Sequence, residues 1–174
     1  TPNVSSAASD VYKRQALVKA FNEKNSFWEH GTTRLYKNLQ NDFLYSNINN
    51  VVIFAENHDT NRINDFYPKF KNYKQILSVL MTIRGIPQIY YGSEIGMTGK
   101  KEVGDGDIRR DFPGGWPKDT QNAFSENGRV SKQAKYYDFS KKLIQWRKTN
   151  AAIHFGKTLH YVPRDDVYVY FRYT

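Results

Sequence analysis

The apolar residues of this chain change their spacing along its length. In "TTRLYKNLQNDFLY", Leu35, Leu39 and Phe43 recur at helical intervals and predict an amphipathic helix, which follows a first helix over "ALVKAFNEK". "NNVVIFAE" and "IPQIYYG" are short, continuous apolar runs, typical of strands buried on both faces of a parallel sheet. "YKQILSVLMTIRG", between them, has the apolar face of a helix. Strand, loop, helix and strand make a βαβ unit, so we predict an α/β fold.

The spacing changes again near residue 150. "SKQAKYYDFSKKLIQWRKTN" predicts a long helix that begins at Ser131, with Tyr136, Phe139, Leu143 and Trp146 on one face. Beyond it, "KTLHYV" and "VYVYFRYT" alternate on either side of "PRDD", which predicts an antiparallel hairpin that starts a different, all-β domain. Two parallel strands and one hairpin leave their edges unpaired, so we expect the chain to be a fragment of a longer protein.

The segment 93–130, after the second predicted strand, shows little periodicity and contains seven glycines. A connection of this length within a compact domain is usually functional. It follows the carboxyl end of a strand, which is the edge at which parallel α/β folds bind ligands. We therefore expect this loop to contribute to a binding site.

Composition narrows the classes of function. The 174 residues include 26 Lys and Arg against 17 Asp and Glu. The basic residues are scattered along predicted helices without a nucleic-acid-binding motif, so we expect no nucleic-acid partner. No run of 18 apolar residues occurs, and we expect no membrane partner. Cysteine is absent, which leaves the compartment open; a periplasmic or extracellular location is slightly favoured over a cytoplasmic one.

The first residues differ from the rest of the chain. Residues 1–14, "TPNVSSAASDVYKR", are small and polar and lack periodicity. This predicts a disordered leader. The same stretch is also similar to a translated sequencing-adaptor remnant, in which case the leader would be an artefact without function.

Polar residues follow the first strand at once. In "FAENHDTNR", the apolar run ends in Glu56, Asn57, His58 and Asp59. A histidine and a carboxylate at a strand end suit a binding or catalytic site, but they could equally fix a loop or cap the next helix. A metal site would need a third ligand at compatible spacing, and none is evident.

Four motifs occur in a characteristic order: "FAENHDTNR", "RGIPQIYYGSEIGM", "RRDFPGGW" and "WRK". Together they make residues 15–174 resemble glycoside hydrolase family 13, the α-amylase family, and most closely its neopullulanase and cyclomaltodextrinase-like members. The resemblance implies a (β/α)8 TIM barrel followed by an antiparallel β-sandwich. Residues 15–149 would then be the C-terminal part of the barrel, with strands seven and eight at 51–56 and 86–91, and residues 150–174 would begin the sandwich.

The resemblance also implies chemistry. Family members cleave α-glucans with retention, using one carboxylate as nucleophile and a carboxylic acid as proton donor. A third acidic residue, which stabilises the transition state, matches Asp59, and a histidine that binds the sugar matches His58. The other two carboxylates belong to strands four and five, which should precede residue 15. The implied substrates are maltodextrins, cyclodextrins or pullulan, with α-1,4 or also α-1,6 bonds.

Further candidates lie in the polar loops. Arg62 could orient Asp59 or a sugar hydroxyl, or form a surface ion pair. The resemblance implies that Asp107 and either Arg109 or Arg110 bind glucose units beyond the cleaved bond, because forked guanidinium donors and carboxylate acceptors suit vicinal hydroxyls. A salt bridge within the loop is the alternative for these three residues.

Aromatic and acidic residues of the same loops leave further alternatives open. Trp116 and Phe112 could form a stacking platform for a sugar ring, or could be packing residues. Tyr90 and Tyr91 are expected to be barrel wall, and Glu94 a loop anchor. No cofactor is expected in these residues, although calcium is common in the family.

Two competing hypotheses accompany the enzyme assignment. The chain could come from a non-catalytic carbohydrate-binding or transport-associated relative that lacks the two upstream carboxylates. The chain expressed alone could also have no activity. We expect it to be insoluble or molten and without amylase activity, as judged by a thermal melt and a starch assay; a sharp cooperative melt would count against the fragment hypothesis.

Overall fold

The computed structural model describes residues 11–24 and 29–174. Seven α-helices occur in these residues: α1 Val11–Ala20, α2 Thr32–Gln40, α3 Ile63–Phe66, α4 Phe70–Thr82, α5 Asp105–Ile108, α6 Ser131–Lys148 and α7 Ala151–Phe155. The strands of the same residues are β1 Val52–Phe54, β2 Ile86–Gln88, β3 Lys157–His160 and β4 Tyr170–Tyr173. The chain divides into two compact units. The first comprises the residues up to Ala55 with Gln75–Gln88 and Trp146–Thr174, and the second comprises Glu56–Lys74 and Ile89–Gln145.

The first unit contains the predicted parallel pair of strands. Strands β1 and β2 are hydrogen-bonded in parallel, with Val52 opposite Ile86 and Phe54 opposite Gln88. Gly85, just before β2, has φ +117, and a Cβ there would lie 2.9 Å from the Val51 carbonyl oxygen, so this position requires glycine. The parallel pairing predicted from the two apolar runs is confirmed.

Helix α1 corrects the predicted leader. Residues 11–14 are helical, not structureless, and the side chain of Lys13 is only 2% exposed. Its Nζ lies 2.6 Å from Asp42 Oδ1, and Arg84 Nη2 lies 2.6 Å from Asp42 Oδ2. The prediction was wrong because the charge of Lys13 in "DVYKR" is buried and paired with Asp42, and the local spacing of residues does not show such a distant partner. Residues 1–10 lie outside the described residues.

The C-terminal hairpin also belongs to the first unit. Strands β3 and β4 pair antiparallel, with Lys157 opposite Tyr173 and His160 opposite Tyr170, which confirms the predicted hairpin. The turn between them uses left-handed backbone at Asp165 and Asp166 (φ 51 and 63). The predicted domain boundary at residue 150 stays a prediction, and the short helix α7 that follows it was not predicted.

The second unit has an aromatic core. Tyr136 of α6 is buried, and its ring centroid lies 4.7 Å from that of Tyr73 and 4.8 Å from that of Phe70. Phe139 makes an edge contact with Phe70 at 5.9 Å, and the Tyr73 hydroxyl is 2.8 Å from Ser140 Oγ. Burial raises the pKa of Tyr73, so this phenol stays neutral. The core lies against the loop that follows β2, because a Cβ at Gly96 would lie 3.1 Å from the Tyr136 ring.

No helix of residues 11–24 and 29–174 combines the length and the apolar character that a membrane crossing requires.

Candidate functional site

The turn after β1 is held by its own hydrogen bonds. The Asn57 side-chain oxygen accepts from the Asp59 backbone N–H at 3.0 Å, and the Thr60 hydroxyl oxygen accepts from the Asn57 N–H at 3.0 Å. Such side-chain bonds to nearby backbone stabilise tight turns. The turn leaves the side chains of His58 and Asp59 60% and 57% exposed. Both predicted residues are therefore accessible to a ligand and placed on a fixed backbone.

Three of the predicted site residues come together at this turn. His58 Nε2 lies 3.1 Å from Asp59 Oδ2, and Arg109 Nη2 lies 3.0 Å from Asp59 Oδ1. Arg109 Nε also donates to the His58 carbonyl oxygen at 3.0 Å. The arginine, from the loop after β2, thus contacts both residues of the turn. We call His58, Asp59 and Arg109 the polar triplet.

Asp105 completes the surroundings of Arg109 and was not predicted as a site residue. Its Oδ2 lies 2.9 Å from Arg109 Nη2, and its other oxygen accepts from Lys101 Nζ. The Lys101 hydrogen bond lowers the pKa of Asp105, and the Arg109 charge acts in the same direction. The i,i+4 spacing of Asp105 and Arg109 across the short helix α5 was the available signal.

Arg62 does not lie where the sequence analysis placed it. Its side chain is 0% exposed, so it neither contacts a substrate nor forms a surface ion pair, and it does not bond Asp59. Instead Nε donates to the Ile108 carbonyl at 3.0 Å and Nη1 to the Tyr91 carbonyl at 2.5 Å. The guanidinium carbon lies 4.0 Å from the centroid of the Tyr90 ring. The earlier expectation failed because a charged residue near a strand end is normally exposed.

Glu56 is the buried counter-charge of Arg62. Its Oε1 lies 3.4 Å from Arg62 Nη1 and accepts from the Ser93 hydroxyl, while Oε2 accepts from the Ile63 backbone N–H. Burial raises the pKa of the Glu56 carboxyl, while the Ser93 hydroxyl, the Ile63 amide and Arg62 act in the opposite direction. Glu56 was not predicted to have a role; its position directly after an apolar run was the available signal for a buried acid.

Asp107 and Arg110 show the alternative that the sequence left open. Arg110 Nε donates to the Asp107 carbonyl at 3.0 Å and lies 3.6 Å from Asp107 Oδ1, and its Nη2 donates to Thr98. Asp107 Oδ2 accepts from the Lys100 N–H at 2.6 Å. These contacts stay within the loop, so it is Arg109 rather than Arg110 that meets Asp59.

Trp116 lies in a turn that is stabilised by hydrogen bonds. Its side chain does not pack inward, since the residue is 62% exposed. Asp119 Oδ2 accepts from the backbone N–H groups of Gly114 (2.7 Å) and Trp116 (3.2 Å). Phe112 instead packs against Phe124, with centroids 4.4 Å apart. Of the two aromatic candidates, only Trp116 offers an open ring face.

The predicted roles of Glu94 as a loop anchor and of Tyr90 and Tyr91 as barrel wall stay predictions. Burial raises the pKa of Glu94, and its Oε2 has no hydrogen-bond partner among the described residues. The Tyr91 hydroxyl donates to the Arg110 carbonyl at 2.8 Å. Within the described part of the chain, no group of three or more His, Cys, Asp or Glu residues could hold a metal ion.

The polar triplet has the chemistry of a hydroxyl-binding site. A carboxylate accepts, a guanidinium donates, and an imidazole can do either, so the three groups together can bind neighbouring hydroxyls. An ionised carboxylate held at a strand end can also stabilise positive charge that develops beside it.

Comparison with known proteins identifies the family. Residues 6–171 match the family model "Alpha amylase, catalytic domain". The chain is 38% identical over 128 residues to the cyclomaltodextrin glucanotransferase of Paenibacillus macerans, which covers 74% of this chain and 15% of that protein. It is 33% identical over 128 residues to an α-amylase of Niallia circulans, covering 74% of this chain and 21% of the relative. The chain thus spans about a fifth or less of the length of these relatives.

Solved structures agree in fold. The three-domain cyclomaltodextrin glucanotransferase CldA superposes with a TM-score of 0.67 at 27% identity, covering 95% of this chain and 30% of that one. The α-amylase of Geobacillus thermoleovorans, solved in complex with acarbose, gives a TM-score of 0.71 at 22% identity, covering 95% of this chain and 34% of that one, which supports the fold alone. The partial α/β barrel fold is confirmed.

These relatives are named glucanotransferases and α-amylases, and they do not single out the neopullulanase subgroup that the sequence resemblance favoured. The family assignment itself is confirmed: the chain belongs to the α-amylase family, glycoside hydrolase family 13, and contains part of its catalytic domain.

Proposed function

We propose that this chain is part of a longer α-glucan-acting enzyme, in which it supplies the transition-state stabiliser Asp59 and the sugar-binding residues around it. The enzyme would cleave α-1,4 or also α-1,6 glucosidic bonds with retention. The observation that carries the proposal is the polar triplet, an accessible Asp59 held between His58 and Arg109 directly after β1. The share of the relatives' length that the chain spans supports the longer enzyme.

We propose a separate role for each residue of the triplet. Asp59 would lie beside the anomeric carbon, where positive charge builds up as the glycosidic bond breaks, and would stabilise that charge. His58 would hydrogen-bond a hydroxyl of the same sugar. Arg109 would bind the next glucose unit while holding Asp59 through Nη2. Asp107 and Arg110, predicted to bind substrate, would instead shape the loop, because their contacts are internal.

No described carboxylate other than Asp59 is proposed to act in catalysis. Glu56 is buried against Arg62, and Asp105 is paired with Lys101 and Arg109. The nucleophile and the acid/base are therefore proposed to come from the rest of the enzyme. The neopullulanase-like preference for cyclodextrin or pullulan remains a proposal, as does hydrolysis rather than transfer to a sugar acceptor.

The proposal can be tested in a hybrid enzyme. Residues 51–149 of this chain would replace the matching segment of the Paenibacillus macerans cyclomaltodextrin glucanotransferase, which is 38% identical to it. We expect the hybrid to cleave maltoheptaose and to release product of retained anomeric configuration, followed by NMR. A folded hybrid that binds maltoheptaose but does not turn it over would favour a carbohydrate-binding relative instead.

The stacking platform gives a separate prediction. Trp116→Ala in the hybrid should raise KM for maltoheptaose by about two- to tenfold, the equivalent of a ring contact of about 0.5–1.5 kcal/mol, and change kcat little. Trp116→Phe should keep most of the affinity. Trp146→Ala, a partly exposed tryptophan of α6, is the control. An unchanged KM in Trp116→Ala would reject the platform.

A further inference from the structure

The buried side chain of Arg62 forms hydrogen bonds with several segments of the second unit. Its guanidinium donates to two backbone carbonyls from different segments, at Tyr91 after β2 and at Ile108 in α5. Its own backbone N–H donates to the Gly99 carbonyl at 2.9 Å. With Glu56 as counter-charge, it therefore joins the turn after β1 to three points along the loop after β2.

The contacts of Arg62 and those of the polar triplet together form a closed ring between the turn after β1 and the loop after β2. Asp59 lies three residues before Arg62, and Arg109 directly follows Ile108, whose carbonyl Arg62 binds. Arg109 then returns to Asp59 at 3.0 Å and to the His58 carbonyl at 3.0 Å. The separation of Asp59 and Arg109 is thus fixed on one side by their own ion pair and on the other by Arg62.

The buried connection through Arg62 is more rigid than the exposed ion pair between Arg109 and Asp59. Arg109 and Asp59 are exposed, and exposed ion pairs are weak and easily exchanged for water. Arg62 and Glu56 are shielded from water, and each lost bond would leave a buried polar group unsatisfied. Close packing around Gly99, where a Cβ would lie 2.4 Å from the Asp107 carbonyl oxygen, leaves little room for α5 to shift.

We propose that Arg62, anchored by Glu56, is a positioning residue that sets the placement of Asp59 and Arg109 for catalysis without touching substrate. This inference rests on the proposed role of Asp59. It replaces the substrate contact that the sequence predicted for Arg62 with an indirect action through two loops.

The test is a double-mutant cycle in the hybrid enzyme. Arg62→Lys keeps the charge, but an ammonium group cannot reproduce the fork that reaches Ile108, Tyr91 and Glu56. We expect kcat for maltoheptaose to fall at least tenfold, with KM within about threefold of the unsubstituted hybrid. In an Asp59→Asn background, assayed with a maltosyl fluoride substrate that keeps turnover measurable, Arg62→Lys should lower kcat less than twofold.

Arg129→Lys is the matched control. Like Arg62, Arg129 donates to two backbone carbonyls, those of Ala123 and Phe124, and stacks on an aromatic ring, that of Tyr137, but it is only partly buried and has no contact with the triplet. It should leave kcat unchanged. Glu56→Gln, which keeps the shape but removes the counter-charge, should reproduce the kinetic effect of Arg62→Lys.

The outcomes separate this inference from the proposed function. Near-normal turnover in Asp59→Asn alone would defeat the proposed function. A large loss in Asp59→Asn together with an equal Arg62→Lys factor in both backgrounds would overturn the inference, because Arg62 would then act only through general stability. Failure of both Arg62→Lys and Glu56→Gln to fold would also overturn it, since the proposal requires folded variants with lowered kcat.

Discussion

Asp59→Asn in the hybrid enzyme is expected to lower kcat for maltoheptaose by about 10²–10³-fold while the oligosaccharide still binds. The substitution keeps the size of the side chain and removes its charge. In the proposed role, the charge stabilises the positive charge that develops at the anomeric carbon in the transition state, so the loss should appear in kcat rather than in KM. A preorganised electrostatic group of this kind contributes about that much to a transition state.

The measurement is steady-state kinetics on maltoheptaose, with acarbose binding followed separately by calorimetry. Asp138→Asn makes the same chemical change on an exposed position of α6, outside the triplet, and should leave kcat within about twofold. Retained turnover in Asp59→Asn would show that the carboxylate is a structural partner of His58 and Arg109 and no more.

Glu56→Ala is expected to have the largest effect on stability. It leaves the fully buried guanidinium of Arg62 without a counter-charge and removes the acceptor of the Ser93 hydroxyl and the Ile63 amide. Breaking a buried pair from one side costs about 3–5 kcal/mol. We expect the apparent Tm of the hybrid to fall by about 5 °C or more, measured by circular dichroism.

Two further variants isolate the cause of this loss. Glu126→Ala removes an exposed carboxylate from the loop after β2 and should leave Tm unchanged within about 1 °C. Replacing Glu56 and Arg62 together by methionine should recover part of the loss, because no unpaired charge then remains. A Tm in Glu56→Ala equal to that of Glu126→Ala would mean that the buried pair does not stabilise the second unit.

Local sequence patterns predicted the strands and the longer helices, but not the short helices α3, α5 and α7. The apolar runs around Ile53 and Pro87 predicted a parallel pair, and alternation predicted the hairpin of β3 and β4. The pairings were predicted correctly because apolar runs and alternation leave a pattern in the sequence, but the predicted burial of β2 on both faces was wrong, since Ile86 is 50% exposed. The family motifs added the positions of His58 and Asp59.

The parts that failed depend on contacts between distant residues. The sequence could not show which arginine of the loop reaches Asp59, because Arg109 and Arg110 differ only in the local backbone of α5. It also placed Arg62 at the surface, since nothing local distinguishes a buried arginine from an exposed one. Lys13 was misjudged for the same reason: its partner Asp42 lies 29 residues away.

Arg62 binds main-chain carbonyls at Tyr91 and Ile108, and main-chain carbonyls are present whatever the side chain. Side chains of the loop after β2 can therefore be substituted without removing the carbonyl groups through which Arg62 holds the loop. Glu56 and Arg62 would then hold the backbone of loops that differ in sequence.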